Sequence, residues 1–250
     1  MLEPLPNRWV MLWFDRWCVS ALRNTFARVH LYPDTDDAQT GDASFDPTRP
    51  RLYVANHSSF WDGIVLNVLV RKFRRQPLFC MVDLVQVRRH PFFRRVGCFS
   101  VDRSQARHAL QSLGYATRLL NGQVRPKGQC DPRHAPAVVM FPQGKVEPVD
   151  ARPLQLESGV ARIIENVPGL EVVPVALRYD FWTEQRAECL IRLGRAQTFV
   201  NTPRASILQT LTDTLTTLSD DLARASRAQQ TGPVVLLTGK TAVNKRRIGP

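Results

Sequence analysis

Residues 54–63 read Val-Ala-Asn-His-Ser-Ser-Phe-Trp-Asp-Gly and set one imidazole and one carboxylate, His57 and Asp62, five positions apart. A histidine oriented by a carboxylate is the smallest side-chain set that can take a proton from a hydroxyl and turn its oxygen into a nucleophile. One apolar run, residues 52–55, leads into the pair, and another, residues 64–70, leads out. That layout predicts a strand delivering His57 to the lip of a sheet, then a helix whose first turn holds Asp62. A plainer role stands beside it. Ser59-x-x-Asp62 also fits a capping box at a helix start, with His57 a structural loop residue.

The surrounding elements alternate between strand and helix periods. Short apolar segments predict strands over 52–55, 78–82, 98–101, 137–141, 171–179 (broken at Pro174) and 188–193. Helical spacing predicts helices over 60–73, 104–120 with Ser104 as its cap, 159–166 and 203–227, the last carrying Ile207, Leu211, Leu215, Leu218 and Leu222. Residues 88–95, basic and aromatic, are interrupted by Pro91. The expected fold is α/β, a single domain with a mostly parallel or mixed central sheet flanked by helices. An N-terminal amphipathic helix is expected in addition.

That helix is read over residues 8–29. Val10, Met11, Phe14, Trp17, Cys18, Ala21 and Leu22 gather on one side, with Trp9 and Trp13 along the polar boundary. Tryptophans with arginines on such a helix suit a membrane interface; packing on the chain's own domain is the alternative. The chain divides into residues 1–32 (amphipathic, membrane-interface helix), 33–50 (a linker rich in Pro, Asp, Thr and Gly), 51–229 (main domain) and 230–250 (basic tail).

With 250 residues the chain can bury one substantial core. Thirty-four Lys and Arg against 22 Asp and Glu give a net charge of +12. That charge suits nucleic acid, an anionic membrane surface or phosphorylated substrates. Five scattered cysteines, Cys18, Cys80, Cys98, Cys130 and Cys189, read as thiols in a reducing compartment. Neither a signal peptide nor the roughly 18 uninterrupted apolar residues of a membrane span is found. The expected location is cytoplasmic and peripheral, on the cytoplasmic face of the membrane. His30, His90, His108 and His134 lack ligand spacing, and no metal is expected. Thr238-Gly-Lys-Thr241 imitates the end of a P-loop but has valine at 234, where that motif needs glycine.

Three later stretches bear on His57 and Asp62. Residues 97–103, Gly-Cys-Phe-Ser-Val-Asp-Arg, place an arginine after a strand; residues 141–145, Phe-Pro-Gln-Gly-Lys, end another in a tight turn; residues 173–175 read Val-Pro-Val. With Asn56-His57-x-x-x-x-Asp62, these resemble in order and spacing the four blocks of the 1-acylglycerol-3-phosphate acyltransferase family, over roughly residues 50–180. The resemblance makes residues 51–229 an acyltransferase domain. It implies transfer of a fatty acyl group from acyl-CoA or acyl carrier protein to a lipid hydroxyl, lysophosphatidate or another lysophospholipid. His57 would be the general base and Asp62 its orienting partner. Arg103, Phe141, Pro142, Gln143, Gly144 and Lys145 would bind substrate, and backbone N–H groups of the turn would stabilise an oxyanion. No cofactor is implied beyond the acyl thioester co-substrate, and no nucleic acid.

The third block departs from the family pattern. Gln143 stands where the family has glutamate, and Val146 where it has a phosphate-holding arginine. A glycolipid or lipid alcohol therefore stays open as acceptor. The basic runs 71–75 and 88–95 would meet anionic head groups or coenzyme A phosphates. A basic nucleic-acid-binding protein and a non-catalytic lipid-binding relative remain the alternatives from other classes.

Overall fold

A computed structural model describes residues 1–33, 46–128 and 134–240. Cys130, most of the linker and the basic end of the tail, Lys245-Arg246-Arg247, lie outside the described residues.

The chain opens with α1 (Arg8–Thr25) and β1 (Phe26–Tyr32), followed by β2 (Arg51–Ala55) and α2 (Asp62–Asn67), which runs on as a π-helical segment, Val68–Phe73. Next come β3 (Leu78–Asp83), α3 (Leu84–Arg89), α4 (Phe92–Arg95), β4 (Cys98–Val101), α5 (Ala106–Leu120) and β5 (Ala137–Met140). The remainder is α6 (Gly159–Glu165), β6 (Glu171–Asp180), β7 (Ala187–Leu193), α7 (Arg204–Arg227) and β8 (Val234–Thr238). The strands form one eight-stranded sheet in the order β4-β3-β5-β2-β6-β7-β1-β8. The five strands from β4 to β6 are parallel, β7 runs against β6, β1 runs with β7, and β8 runs against β1. The sheet is therefore mixed, with a parallel half, and helices cover both faces.

Alternation along the strands divides the core. Tyr53, Ala55, Val139, Val175 and Leu177 face the side covered by α1, α2 and the π-helical segment. Leu52, Val54, Val138, Met140 and Val172 face the side covered by α5, α6 and α7. Strands buried on both faces read as continuous apolar runs, which is why residues 52–55 and 137–140 were visible in the sequence. On α7, Ile207, Leu211, Leu215 and Leu222 are buried at helical spacing, so truncating Leu211 to alanine would cost about 2–5 kcal/mol.

Four local expectations need correction. The first helix ends at Thr25, and Phe26–Tyr32 enters the sheet between β7 and β8. Strand β6 is continuous through Pro174, which aligns with Val54 on β2; pairing with β7 reaches only to Val175, and Pro174 O still accepts from Gly194 N at 2.8 Å. Ser104 does not cap α5. Its N–H and hydroxyl both donate to Asp102, and the helix begins after Gln105. The segment Val234–Thr238, assigned to the basic tail outside the main domain, is strand β8 and pairs with β1.

Candidate active site

In an open α/β sheet, loops leaving the carboxyl ends of neighbouring parallel strands converge on one edge. Here β2 leads to Asn56 and His57, β5 to Phe141, Pro142 and Gln143, and β4 to Asp102 and Arg103. Asn56 keeps the exit of β2 in register. Its amide nitrogen donates to Leu177 O at 3.0 Å, and its oxygen accepts from Leu177 N at 2.7 Å. The side chain thus continues the β2–β6 ladder one step beyond the strand.

Past that step the chain turns, and Asp62 begins α2. One carboxylate oxygen, Oδ2, accepts from His57 Nδ1, Ser58 N and Ser59 N, each at 2.8 Å. The other, Oδ1, accepts from the Tyr179 hydroxyl at 2.6 Å. Asp62 is fully buried, and these four donors answer the cost of burying its charge. Only half of the expected capping box forms: Ser59 N–H reaches Asp62, but the Ser59 hydroxyl accepts from Trp61 N at 3.2 Å and α2 begins at Asp62 itself. The bland and the chemical roles coexist on one oxygen.

With Nδ1 donating to Asp62, the Nε2 lone pair of His57 is directed away from the carboxylate. The imidazole is one-quarter exposed, and its Nε2 has no hydrogen-bond partner among the described residues. The ring stacks on Phe141 with centroids 4.4 Å apart. A base held in one tautomer and one plane, with its free nitrogen open to a ligand, is suited to deprotonating a hydroxyl.

The turn after β5 is fastened to this loop from below. Gln143 is buried; its Oε1 accepts from His57 N at 2.7 Å, and its Nε2 donates to Glu147 Oε2 at 2.6 Å. Glu147 N donates in turn to His57 O at 2.9 Å. Gly144 has φ +70°, which favours glycine, and a Cβ there would have to push aside the side-chain ends of Glu157, 2.6 Å away, and Arg103, 2.7 Å away. The Gly144 N–H donates to Phe141 O and Pro142 has none, which leaves Gln143 N–H as the backbone donor of Pro142-Gln143-Gly144 with no partner among the described residues.

Arg103 reaches the turn from β4. Its guanidinium donates to Gly144 O and pairs with Glu157, whose own N–H donates to Pro142 O at 2.8 Å. Asp102, beside it, is pulled down to about 2 by hydrogen bonds from Ser104 and then His108. Lys145 is exposed, 3.1 Å from Glu147 Oε1. All eight residues expected at the site therefore lie at one sheet edge, though Gln143 faces protein with both ends of its side chain. Sequence reasoning missed Tyr179, Glu147 and Glu157. Glu147 and Glu157 were the legible ones, as carboxylates shortly after a turn rich in ligands.

Elsewhere, His30 is buried against Glu188 at 3.1 Å and accepts from Gly232 N, a structural role. Among the described residues no cluster of His, Cys, Asp or Glu could hold a metal. A cavity of about 440 Å³ lined by Thr48, Asn121, Arg125 and His134 opens near Pro50, Pro136 and Pro168, at the opposite end of the strands.

The family model described as Acyltransferase matches residues 38–178. Among solved structures, the 1-acyl-sn-glycerophosphate (LPA) acyltransferase PlsC from Thermotoga maritima is similar over 86% of this chain and 80% of its own, with TM-score 0.60 and 12% sequence identity. That likeness is one of fold. A search of curated proteins found no match.

Proposed function

The chain belongs to the Acyltransferase family, and from that premise we propose that it moves a fatty acyl group from an acyl thioester to a lipid hydroxyl. The family makes it an acyltransferase, and the fold it shares with the Thermotoga enzyme favours an O-acyltransferase resembling the 1-acylglycerol-3-phosphate acyltransferases. The observation that carries the mechanism is the 2.8 Å bond between His57 Nδ1 and the buried Asp62.

His57 Nε2 takes the proton of the acceptor hydroxyl as its oxygen attacks the thioester carbonyl. The imidazolium that forms is stabilised by Asp62, the arrangement of a Ser-His-Asp site with the substrate's own hydroxyl as nucleophile. Gln143 N–H supports the oxyanion. Collapse breaks the carbon–sulfur bond, and the imidazolium proton passes to the departing thiolate. The products are an ester and a free thiol of coenzyme A or acyl carrier protein. The acceptor for which the Thermotoga enzyme is named makes a lysophospholipid the first acceptor to try.

We propose that the reaction takes place at a membrane surface, on the cytoplasmic leaflet. Among the described residues no helix is long and apolar enough to cross a membrane. On α1, Trp9 is 75% exposed and Trp13 62%. Phe14 stacks on Trp17 and meets Phe92 of α4, which brings the basic 88–95 segment beside the tryptophans. Exposed rings with arginines on one surface favour docking on an anionic bilayer. Near the base, Phe60 and Phe181 are exposed on the loops after β2 and β6, where a lipid chain could lie.

The test is incubation of the full chain with labelled acyl-CoA and lysolipid in mixed micelles, with products identified by mass spectrometry. A new ester in the lipid fraction, with stoichiometric thiol release, is expected. Thiol release without any ester would refute acyl transfer.

A further inference from the structure

Gln143 and Glu147 together change what the site can accept. The amide of Gln143 donates to Glu147 Oε2 at 2.6 Å, which a carboxylate at position 143 could not do. Glu147 is held ionised, its pKa lowered by that bond and then by Lys145. Negative charge absent from position 143 thus stands four residues on, in the turn whose main chain bonds His57 O.

The two cations beside this turn are both matched. Lys145 lies 3.1 Å from Glu147 Oε1, and Arg103 is occupied by Gly144 O and Glu157. Val146, between Lys145 and Glu147, is 57% exposed and brings no charge. A phosphomonoester dianion brought here would meet two carboxylates whose counter-charges are already engaged. In a chain of net charge +12, the two cations at this turn are matched one for one by Glu157 and Glu147. A sugar or polyol finds different conditions: Glu147 and Glu157 accept from its hydroxyls, while Arg103 and Lys145 donate to them.

We propose that the acceptor is a lipid with an uncharged, hydroxyl-bearing head group, a glycolipid or a polyol lipid, and not a phosphomonoester. This rests on the acyl-transfer reading and specifies its substrate. Charge balance at the turn, set by Glu147, Glu157 and the neutral Val146, determines the preference.

The experiment uses the full chain with acyl-CoA and three acceptors in neutral mixed micelles: a long-chain alkyl glucoside, 1-monoacylglycerol and 1-acylglycerol-3-phosphate. The better of the two neutral acceptors should exceed the phosphate in kcat/KM by about tenfold or more, the discrimination expected from like-charge juxtaposition. Equal or better use of 1-acylglycerol-3-phosphate overturns the proposal, and so does ester formation on none of the three. The double variant Val146→Arg with Glu157→Gln should raise kcat/KM for the phosphate about tenfold without raising it for the neutral lipids. No gain contradicts control by charge balance. Ester formation that survives His57→Ala is a separate failure. It sinks the base mechanism and leaves the ranking of head groups standing.

Discussion

The Tyr179 hydroxyl donates to Asp62 Oδ1 at 2.6 Å, on the side of the carboxylate away from the oxygen that binds His57. Tyr179 is held by a ring stack on Phe26, which also meets Trp61 edge-on. Burial pushes the phenol well above its ordinary pKa, so it stays a hydrogen-bond donor. Tyr179→Phe removes only the oxygen. We expect kcat to fall roughly tenfold, as for other partners that orient a reacting histidine, with KM for the acyl donor little changed. Steady-state kinetics check this, with thermal melting to confirm folding. A kcat equal to wild type would make Tyr179 merely a packing residue.

Gln143→Glu should set two carboxylates against each other at the turn under His57. The expected loss is about 1–3 kcal/mol of stability, together with activity. Adding Glu147→Gln restores one donor and one acceptor across the same gap and should recover most of both. Denaturant titration of the single and double variants decides the matter. A double variant as weak as the single would show that the pairing is not what the turn needs.

His30 supplies a pH dependence. Desolvation lowers its pKa in the folded protein, against the opposing pull of Glu188. The unfolded chain therefore binds a proton at this residue that the folded chain does not. This contribution is fully present above the ordinary histidine value and is lost as pH falls below it. Melting temperature should drop between pH 7.5 and 5.5 in the wild type and drop less in His30→Gln. Parallel curves would remove His30 as the cause.

The exposed tryptophans of α1 lead to a binding prediction. Trp9→Ser with Trp13→Ser should weaken sedimentation with anionic liposomes about tenfold or more, since each ring buries substantial apolar area at an interface. Melting temperature should stay near wild type, because both side chains are already exposed. The wild type should leave duplex DNA unretarded. Unchanged liposome binding would move the membrane contact elsewhere on the protein.

How much of this was legible depends on how local each signal was. His57, Asp62 and the strand before them lie within a dozen residues, and their periodicity and spacing carried over intact. The turn 141–145 was legible for the same reason. Strand β1 was not: Phe26 and Val29 are three apart, as on a helix, and what makes the segment a strand is β7 and β8, far along the chain. Tyr179 was hidden by register. It reaches Asp62 because β6 runs on past the end of β2, a fact of pairing that no short window contains. The pairing of Arg103 with Glu157 and of Lys145 with Glu147 was likewise invisible, since a sequence shows charges but not which are already matched.

The most direct measurement is the rate of ester formation from acyl-CoA by wild type, His57→Ala and Asp62→Asn, each with its affinity for the donor determined separately. An asparagine can still occupy the Asp62 site, with the Tyr179 hydroxyl turned to accept from it, so the fold should persist while the charge behind the imidazole is lost. Both variants should lose about a hundredfold or more in kcat with donor binding nearly unchanged. Ester formation by His57→Ala at the wild-type rate would contradict His57 as the base.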